Sequence, residues 1–384
     1  MSINLDKQNL RVSIVDPYYF SGRKELLEEI LDEPNKVWIL LGGSRIGKTS
    51  LLNAIEWSLL SPESSNGKKV LPILIDLNLG QPDSLSNFRF LIISQLRKCM
   101  DRWRQVGDIK VKQSIREIYR SYQNKVSKTE VSLQFLKSVN VKLELDNSYK
   151  SRNLSDEFFM EALLQTIGEL KSLGFNEICF LLDNAEFIAK QEWATDTWNY
   201  FRSFKDSRNN PLNPYIGFIF SGYRELKDYQ QRVGSPLLNI ANIRWLTPLL
   251  EKDVEDIIKN RKDFDDIEIS EDYIPHIIEW TGCHPCLIHL MLDLISERMR
   301  ENYSFVLEEI AETLIDHQSD IFASWWNEKQ MHGRLEDEDR NIYRIFMTHR
   351  EGDLKSVARI AKKGPMNVKS ILQILCASGL IRKL

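Results

Sequence analysis

The stretch that decides the fold is Val37-Trp38-Ile39-Leu40-Leu41-Gly42-Gly43-Ser44-Arg45-Ile46-Gly47-Lys48-Thr49-Ser50. Gly42, Gly47, Lys48 and Thr49 stand in the register G-x-x-x-x-G-K-[ST] of a phosphate-binding loop. Before them an apolar run, Val37 to Leu41, reads as a buried strand; after them Leu51 to Trp57 reads as a helix. Glycines let the backbone wrap closely, so that N–H groups along Gly42, Gly43, Ser44, Arg45, Ile46, Gly47, Lys48, Thr49 and Ser50 converge on a phosphate chain at a helix N-terminus. Lys48 would reach the β and γ phosphates, and the Thr49 hydroxyl would ligate Mg²⁺. The bland alternative is a chance glycine-rich turn, and the flanking strand and helix argue against it.

Bulk properties bound the rest. A chain of 384 residues can bury two or three separate cores. Its 42% apolar and 28% charged residues are those of a soluble globular protein. The net charge of −4 supplies no global drive toward nucleic acid or an anionic membrane, so any such contact must come from a local patch. The longest apolar runs, such as 37–41, 178–182 and 216–220, are far too short to span a bilayer. Met1-Ser2-Ile3-Asn4-Leu5-Asp6 lacks the basic-then-apolar order of a signal peptide. Five cysteines, an odd count in mostly apolar context, read as reduced thiols of a cytoplasmic protein.

Outward from the loop, residues 1–36 read as an N-terminal segment and a helix. Pro17 to Arg23 is an aromatic turn, Ser21 is the expected N-cap, and Leu26, Leu27, Ile30 and Leu31 form an apolar stripe. Residues 37–248 alternate strands and helices. Strands are expected at 70–77 (with Pro72 near the start), 177–183 and 214–222, and helices at 88–103 and 154–173. That alternation predicts an α/β fold, a parallel sheet covered by helices on both faces. Within it, the Lys-, Gln-, Ser- and Asn-rich residues 104–155 read as a helix and a small antiparallel β insertion. After Pro248 the strands stop, and helices at 251–262, 271–280 and 285–299 make a small helical domain over 249–330. Over 331–384, helices at 336–348, 356–363 and 368–377 and a terminal strand at 378–384 suggest a winged helix with a truncated wing. No internal repeat at a period of 20 to 50 residues and no low-complexity tract is apparent.

A phosphate loop needs a second acid on a neighbouring strand to hold Mg²⁺, and Asp183, closing an apolar strand, fits that role. Many ATPases of this architecture place Glu next, to polarise the attacking water. Here the residue is Asn184, which cannot accept a proton. Glu186, two residues on, is the substitute candidate, or else a solvent-facing glutamate opening a helix. Arg224 follows the fourth strand, whose end would lie beside the γ phosphate in a doubly wound sheet; it reads as a phosphate sensor or as a surface arginine. Thr281-Gly282-Cys283-His284-Pro285-Cys286-Leu287 invites a redox reading and a metal reading through Cys283, Cys286 and His289. Lacking a second Cys/His pair at zinc spacing, it reads better as a tight turn entering a helix at Pro285.

The ordered set Phe20-Ser21-Gly22-Arg23-Lys24-Glu25-Leu26, the P-loop, Leu181-Leu182-Asp183-Asn184-Ala185-Glu186, Trp245-Leu246-Thr247-Pro248-Leu249 and Thr281-Gly282-Cys283-His284-Pro285 resembles AAA+-like STAND ATPases of bacteria and archaea. The likeness extends to archaeal ATPase and Orc1/Cdc6-like groups, and covers roughly residues 17–384. The resemblance implies ATP or ADP with Mg²⁺, and a P-loop domain followed by a helical lid and a winged helix. It also implies that Gly22 and Arg23 help enclose the adenine and that His284 and Pro285 close over base and sugar. The chain departs from the pattern at Asn184, which weakens the expectation of hydrolysis, and it carries no repeat array after the winged helix. A sensor or effector would then be a separate chain.

Three readings stand together at this stage. The first is a cytoplasmic ATP/ADP-dependent molecular switch of signalling or defence type, with slow hydrolysis and a capacity to assemble into homo-oligomers. The second is a DNA-associated ATPase resembling initiator or transposition regulators. It draws on a C-terminal stretch from Leu354 that has no acidic residue and carries Lys355, Arg359, Lys362, Lys363, Lys369, Arg382 and Lys383. The third is a scaffold that binds nucleotide without turnover.

Overall fold

Three of the apolar runs become strands buried along their whole length. β1 (Val37–Leu41), β3 (Glu177–Asp183) and β4 (Ile216–Gly222) are buried at every position, as strands covered on both faces must be. The computed structural model describes residues 20–60, 69–107, 156–206, 210–233, 236–265, 269–301, 306–317, 335–349 and 354–382. The turn up to Tyr19 and nearly all of the expected insertion at 104–155 lie outside these residues.

Together with β2 (Val70–Asp76) and β5 (Ala241–Trp245), the strands form one five-stranded parallel sheet in the order β2-β3-β4-β1-β5. β2 stops one residue earlier than the expected 70–77, because Leu77–Gly80 turns into a short helix capped by the Asp76 carboxylate. Pro72 sits on an edge strand, where a missing N–H does least harm. β5 escapes notice in the sequence because Asn242 and Arg244 interrupt its apolar residues. It is the opposite edge, half-buried throughout, and pairs in register with β1, Val37 opposite Ala241 and Leu41 opposite Trp245.

Helices α1 (Lys24–Asp32), α2 (Lys48–Leu60), α3 (Leu85–Gly107), α4 (Asp156–Ser172), α5 (Ala194–Asp206) and α6 (Arg224–Arg232) accompany the sheet. One face packs Phe180, Phe218 and Phe220 against Trp198 and Phe201 of α5, with Phe180 and Phe218 stacked at 5.6 Å between centroids. The other face packs Trp38, Leu40 and Ile219 against α1 and α2. Burying each such side chain stabilises by roughly 1.5–3 kcal/mol. The start of α1 departs from expectation. Its N-cap is Arg23, at φ 58, without a side-chain cap, rather than Ser21. The guanidinium is drawn away to the carbonyls of Ile46 and Thr247, 2.8 Å each.

Two further cores follow. α7 (Glu251–Asp265), α8 (Ile274–Thr281), α9 (Pro285–Arg300) and α10 (Leu307–His317) bury one apolar cluster. α11 (Asp337–His349), α12 (Leu354–Ala361) and α13 (Pro365–Ala377) bury another, which also takes in Trp245 of β5. The terminal strand expected at 378–384 is not formed over 378–382. The amides of Ser378 and Leu380 instead return to Ile374 (2.8 Å) and Leu375 (3.1 Å), and Gly379 takes φ 76. The carbonyls at the end of α13 capture these N–H groups before any sheet can.

Candidate functional site

β1 delivers the glycine-rich turn to the C-terminal edge of the sheet, and α2 begins at Lys48. Arg45 (φ 58) and Gly47 (φ 94) make the reversal; the second value is one that residues with a side chain avoid. Lys48 Nζ donates to the carbonyls of Gly42 (3.1 Å) and Gly43 (2.8 Å) and lies 3.9 Å from the centroid of the Tyr223 ring. Burial lowers its pKa to about 8, against the opposing charges of Glu186, Asp183 and Glu225. An anion in front of this ammonium would relieve that desolvation.

Beside the loop, β3 and β4 end together. The Thr49 hydroxyl donates to Asp183 Oδ2 at 2.6 Å. Asp183 Oδ1 accepts from the Asn184 amide at 3.0 Å and from the hydroxyl of Ser221. Thr49 and Asp183 thus offer adjacent hard oxygens, the donor set that Mg²⁺ takes when phosphate and water complete its octahedron. No group of three or more His, Cys, Asp or Glu gathers among the described residues, so the protein by itself makes no cage. Cys283 and Cys286 are each occupied elsewhere, Cys283 Sγ accepting from Arg382 at 3.3 Å and Cys286 Sγ from Arg45 at 3.8 Å.

Asn184 has φ 58, a left-handed conformation that asparagine tolerates, and its Nδ2 donates to Asp76 Oδ1 at 2.9 Å. It ties the end of β2 to the end of β3, whose last residues Asp76 and Asp183 stand in register. Glu186 is 2% exposed, and its Oε2 accepts from the Tyr223 amide at 3.3 Å. Burial raises its pKa to about 7, with its own amide, Lys48 and the Tyr223 amide pulling the other way. That is a suitable value for a general base, but the carboxylate is packed beneath Gly222 and is absent from the cleft lining.

The cleft itself has a volume of about 310 Å³. Its lining includes Ser44, Arg45, Ile46, Gly47, Lys48, Thr49, Ser50 and Asn184 on one side, and Phe20, Arg23 and Pro285 on the other. Gly22 (φ 85) packs so close to Leu249 and Asp253 that an added Cβ would lie 3.0 Å from Leu249 Cδ2. Burial lowers the Arg23 pKa to about 10, partly offset by Asp253. His284 is fully buried, its pKa lowered to about 3 by burial and by the charges of Arg23 and Arg45. It is absent from the lining, while Pro285 is present. Arg224 also points elsewhere: Nη1 reaches Asp339 of α11 at 2.6 Å, and Nε reaches Asp228 at 2.9 Å. Tyr223 takes the place beside Lys48.

Several residues of the site are unmarked in the sequence: Tyr223, Ile257 and, as part of the cleft, His289 line it, while Ser221 and Asp76 pair with Asp183 and Asn184. For Asp76 the signal was available, since it closes β2 as Asp183 closes β3. Ile257 and His289 sit on helices whose facing is settled only by packing.

Neither a protein-family model nor a curated protein sequence matches the chain. Solved structures do. A Walker-type ATPase of Pyrococcus abyssi is 16% identical with a TM-score of 0.57, over 96% of this chain and 93% of that one. The ADP form of the Aeropyrum pernix ORC2 protein is 11% identical with a TM-score of 0.52, over 96% of this chain and 89% of that one. Likeness at such identities speaks for the fold alone. The phosphate loop, the parallel sheet and these neighbours agree: the chain has the fold of the AAA+-like P-loop ATPases related to the Orc1/Cdc6 group.

Proposed function

We propose that this chain is an ATP- and ADP-binding molecular switch of the STAND type, in which a helical lid (249–330) and a winged-helix unit (331–384) close on the P-loop domain. The observation that carries this reading is a backbone contact. The amide of Gly43, inside the P-loop, donates to the carbonyl of Ala377 at the end of α13, 2.6 Å away. A Cβ on Gly43 would lie 2.7 Å from Ser378 Cα, so the two backbones touch with no side chain between them. A loop that shifts with the number of phosphates it holds must then move, or release, the C-terminal unit.

Within that reading Lys48 neutralises phosphate charge, Thr49 and Asp183 hold Mg²⁺, and Gly22, Arg23, His284 and Pro285 shape the base and sugar end. Bound Mg²⁺ would screen the phosphate oxygens. Arg224 reaches a γ phosphate only after leaving Asp339. Hydrolysis is slow, because Asn184 cannot take a proton and Glu186 is buried behind Tyr223. A separate sensor or effector chain in the cytoplasm, in signalling or defence, and assembly into homo-oligomers belong to the same proposal.

Retention of radiolabelled ATP on a filter tests it. Wild type should retain ATP and Lys48→Ala should not; equal retention would sink the proposal. Light scattering with ADP and with ATP then reads the switch, which predicts different masses or radii for the two.

A DNA-associated ATPase is the second reading. What favours it is the exposure of Lys355, Arg359 and Lys369 on the C-terminal helices and of Lys362 and Lys363 in the turn between α12 and α13. A gel shift at low salt, with and without ATP, decides it, and no shift in either condition rules it out.

A further inference from the structure

The cleft has two chemically different ends. One presents the P-loop amides, Lys48 and Thr49; the other has apolar walls from Phe20, Leu249, Ile257 and Pro285. Ser21 and Arg23 lie among them, the Arg23 guanidinium already held by the carbonyls of Ile46 and Thr247, and so does the imidazole of His289. His289 stands on α9 one turn beyond Pro285, so both look into the cleft from the same helix face.

His289 is 8% exposed, and its Nδ1 is buried with no hydrogen-bond partner among the described residues. Leaving such a nitrogen unsatisfied costs about 1–3 kcal/mol. That nitrogen is closed to a ligand; what the ring offers to the cleft it lines is the edge that carries its remaining exposure. The charge behind it comes from Arg261 of α7, which is itself paired with Asp293 of α9 at 2.9 Å. Burial and the Arg261 charge hold the pKa of His289 down at about 4, so the ring is neutral near pH 7. A neutral imidazole carries one N–H donor and one nitrogen acceptor, and its tautomer adapts to what faces it. An uncharged heterocycle with flat apolar faces and a hydrogen-bonding edge is the chemistry this end accommodates.

We propose that His289 is the base-reading residue of the cleft, making one hydrogen bond to the edge of an adenine ring whose faces rest on the apolar walls. The proposal rests on the nucleotide-binding reading above and adds to it the group that distinguishes a nucleotide from a bare polyphosphate.

Titration calorimetry on the full chain, with ATP and with inorganic tripolyphosphate, tests it. His289→Leu should weaken ATP by roughly 5- to 20-fold, the worth of one buried hydrogen bond, while tripolyphosphate binds as to wild type. His289→Asn, too short to span the same gap, gives the same contrast should the leucine variant not fold. Equal weakening of both ligands would mean that His289 only packs the helical unit, and overturns the proposal. So does ATP affinity that stays at the wild-type value. A wild type that binds neither ligand overturns the nucleotide reading itself, and this proposal with it.

Discussion

Arg224 Nη1 and Asp339 Oδ2 lie 2.6 Å apart, joining the end of β4 to the first helix of the C-terminal unit across 115 residues of chain. Asp339 is 1% exposed, and the same oxygen also accepts the Glu336 amide at 2.8 Å. Burying this carboxylate makes sense only with the arginine in place, since removing one partner of a buried pair costs about 3–5 kcal/mol. Asp339→Ala should therefore loosen the C-terminal unit, read as faster hydrogen exchange in α11 to α13. A denaturation double-mutant cycle with Arg224→Ala should give a coupling of roughly 1–3 kcal/mol. Additive single effects would show that the pair holds nothing.

Glu186 sets a pH dependence. Its pKa is raised from 4.5 to about 7, chiefly by burial. A carboxyl with a raised folded pKa favours the fold while protonated. That contribution is complete below pH 4.5 and is lost as pH rises through about 7. Glu186→Gln, neutral at every pH, should gain on wild type across that window, by about 3 kcal/mol once above it. Urea midpoints measured against pH check this, and a constant difference would contradict it.

His284 and His289 act at acid pH with the opposite sign. Their folded pKa values fall from 6.5 to about 3 and about 4, largely through burial. The stability they lend is complete above pH 6.5 and drains away as pH falls toward those values. His289→Leu removes one proton from the uptake on unfolding. Below pH 6 its stability should fall less steeply than that of wild type, by about 1.4 kcal/mol per pH unit. Parallel slopes would refute it.

Gly379 holds the C-terminal unit against the helical unit. It takes φ 76, and an added Cβ would lie 2.3 Å from Cδ2 of the buried His284. Gly379→Ala meets both backbone strain and a clash, so it should destabilise by about 2–4 kcal/mol and expose the end of α13 to protease. Calorimetric melting checks the first and limited proteolysis the second.

How much of this was legible beforehand depends on the length of chain that each feature needs. β1, β3 and β4 could be read because a strand buried on both faces carries an unbroken apolar run, as at 37–41, 178–182 and 216–220. The phosphate loop could be read because its grip is made by consecutive backbone groups. β5 was not singled out, since an edge strand with Asn242 and Arg244 carries no apolar run. The strand expected at 378–384 fails over 378–382 because helix-end carbonyls compete locally for its amides, a rivalry composition does not reveal.

The sequence by itself determined the parts whose chemistry is contiguous: the loop from Gly42 to Ser50 and the acid that closes β3. Only the tertiary structure decided what those parts face. It set Ala377 on the Gly43 amide, turned Arg224 toward Asp339, gave Tyr223 the place beside Lys48, tied Asn184 to Asp76 and brought His289 into the cleft. Each of these joins residues far apart in the chain, or selects one face of a helix. Such choices follow from how separate apolar cores pack together, which no local spacing encodes.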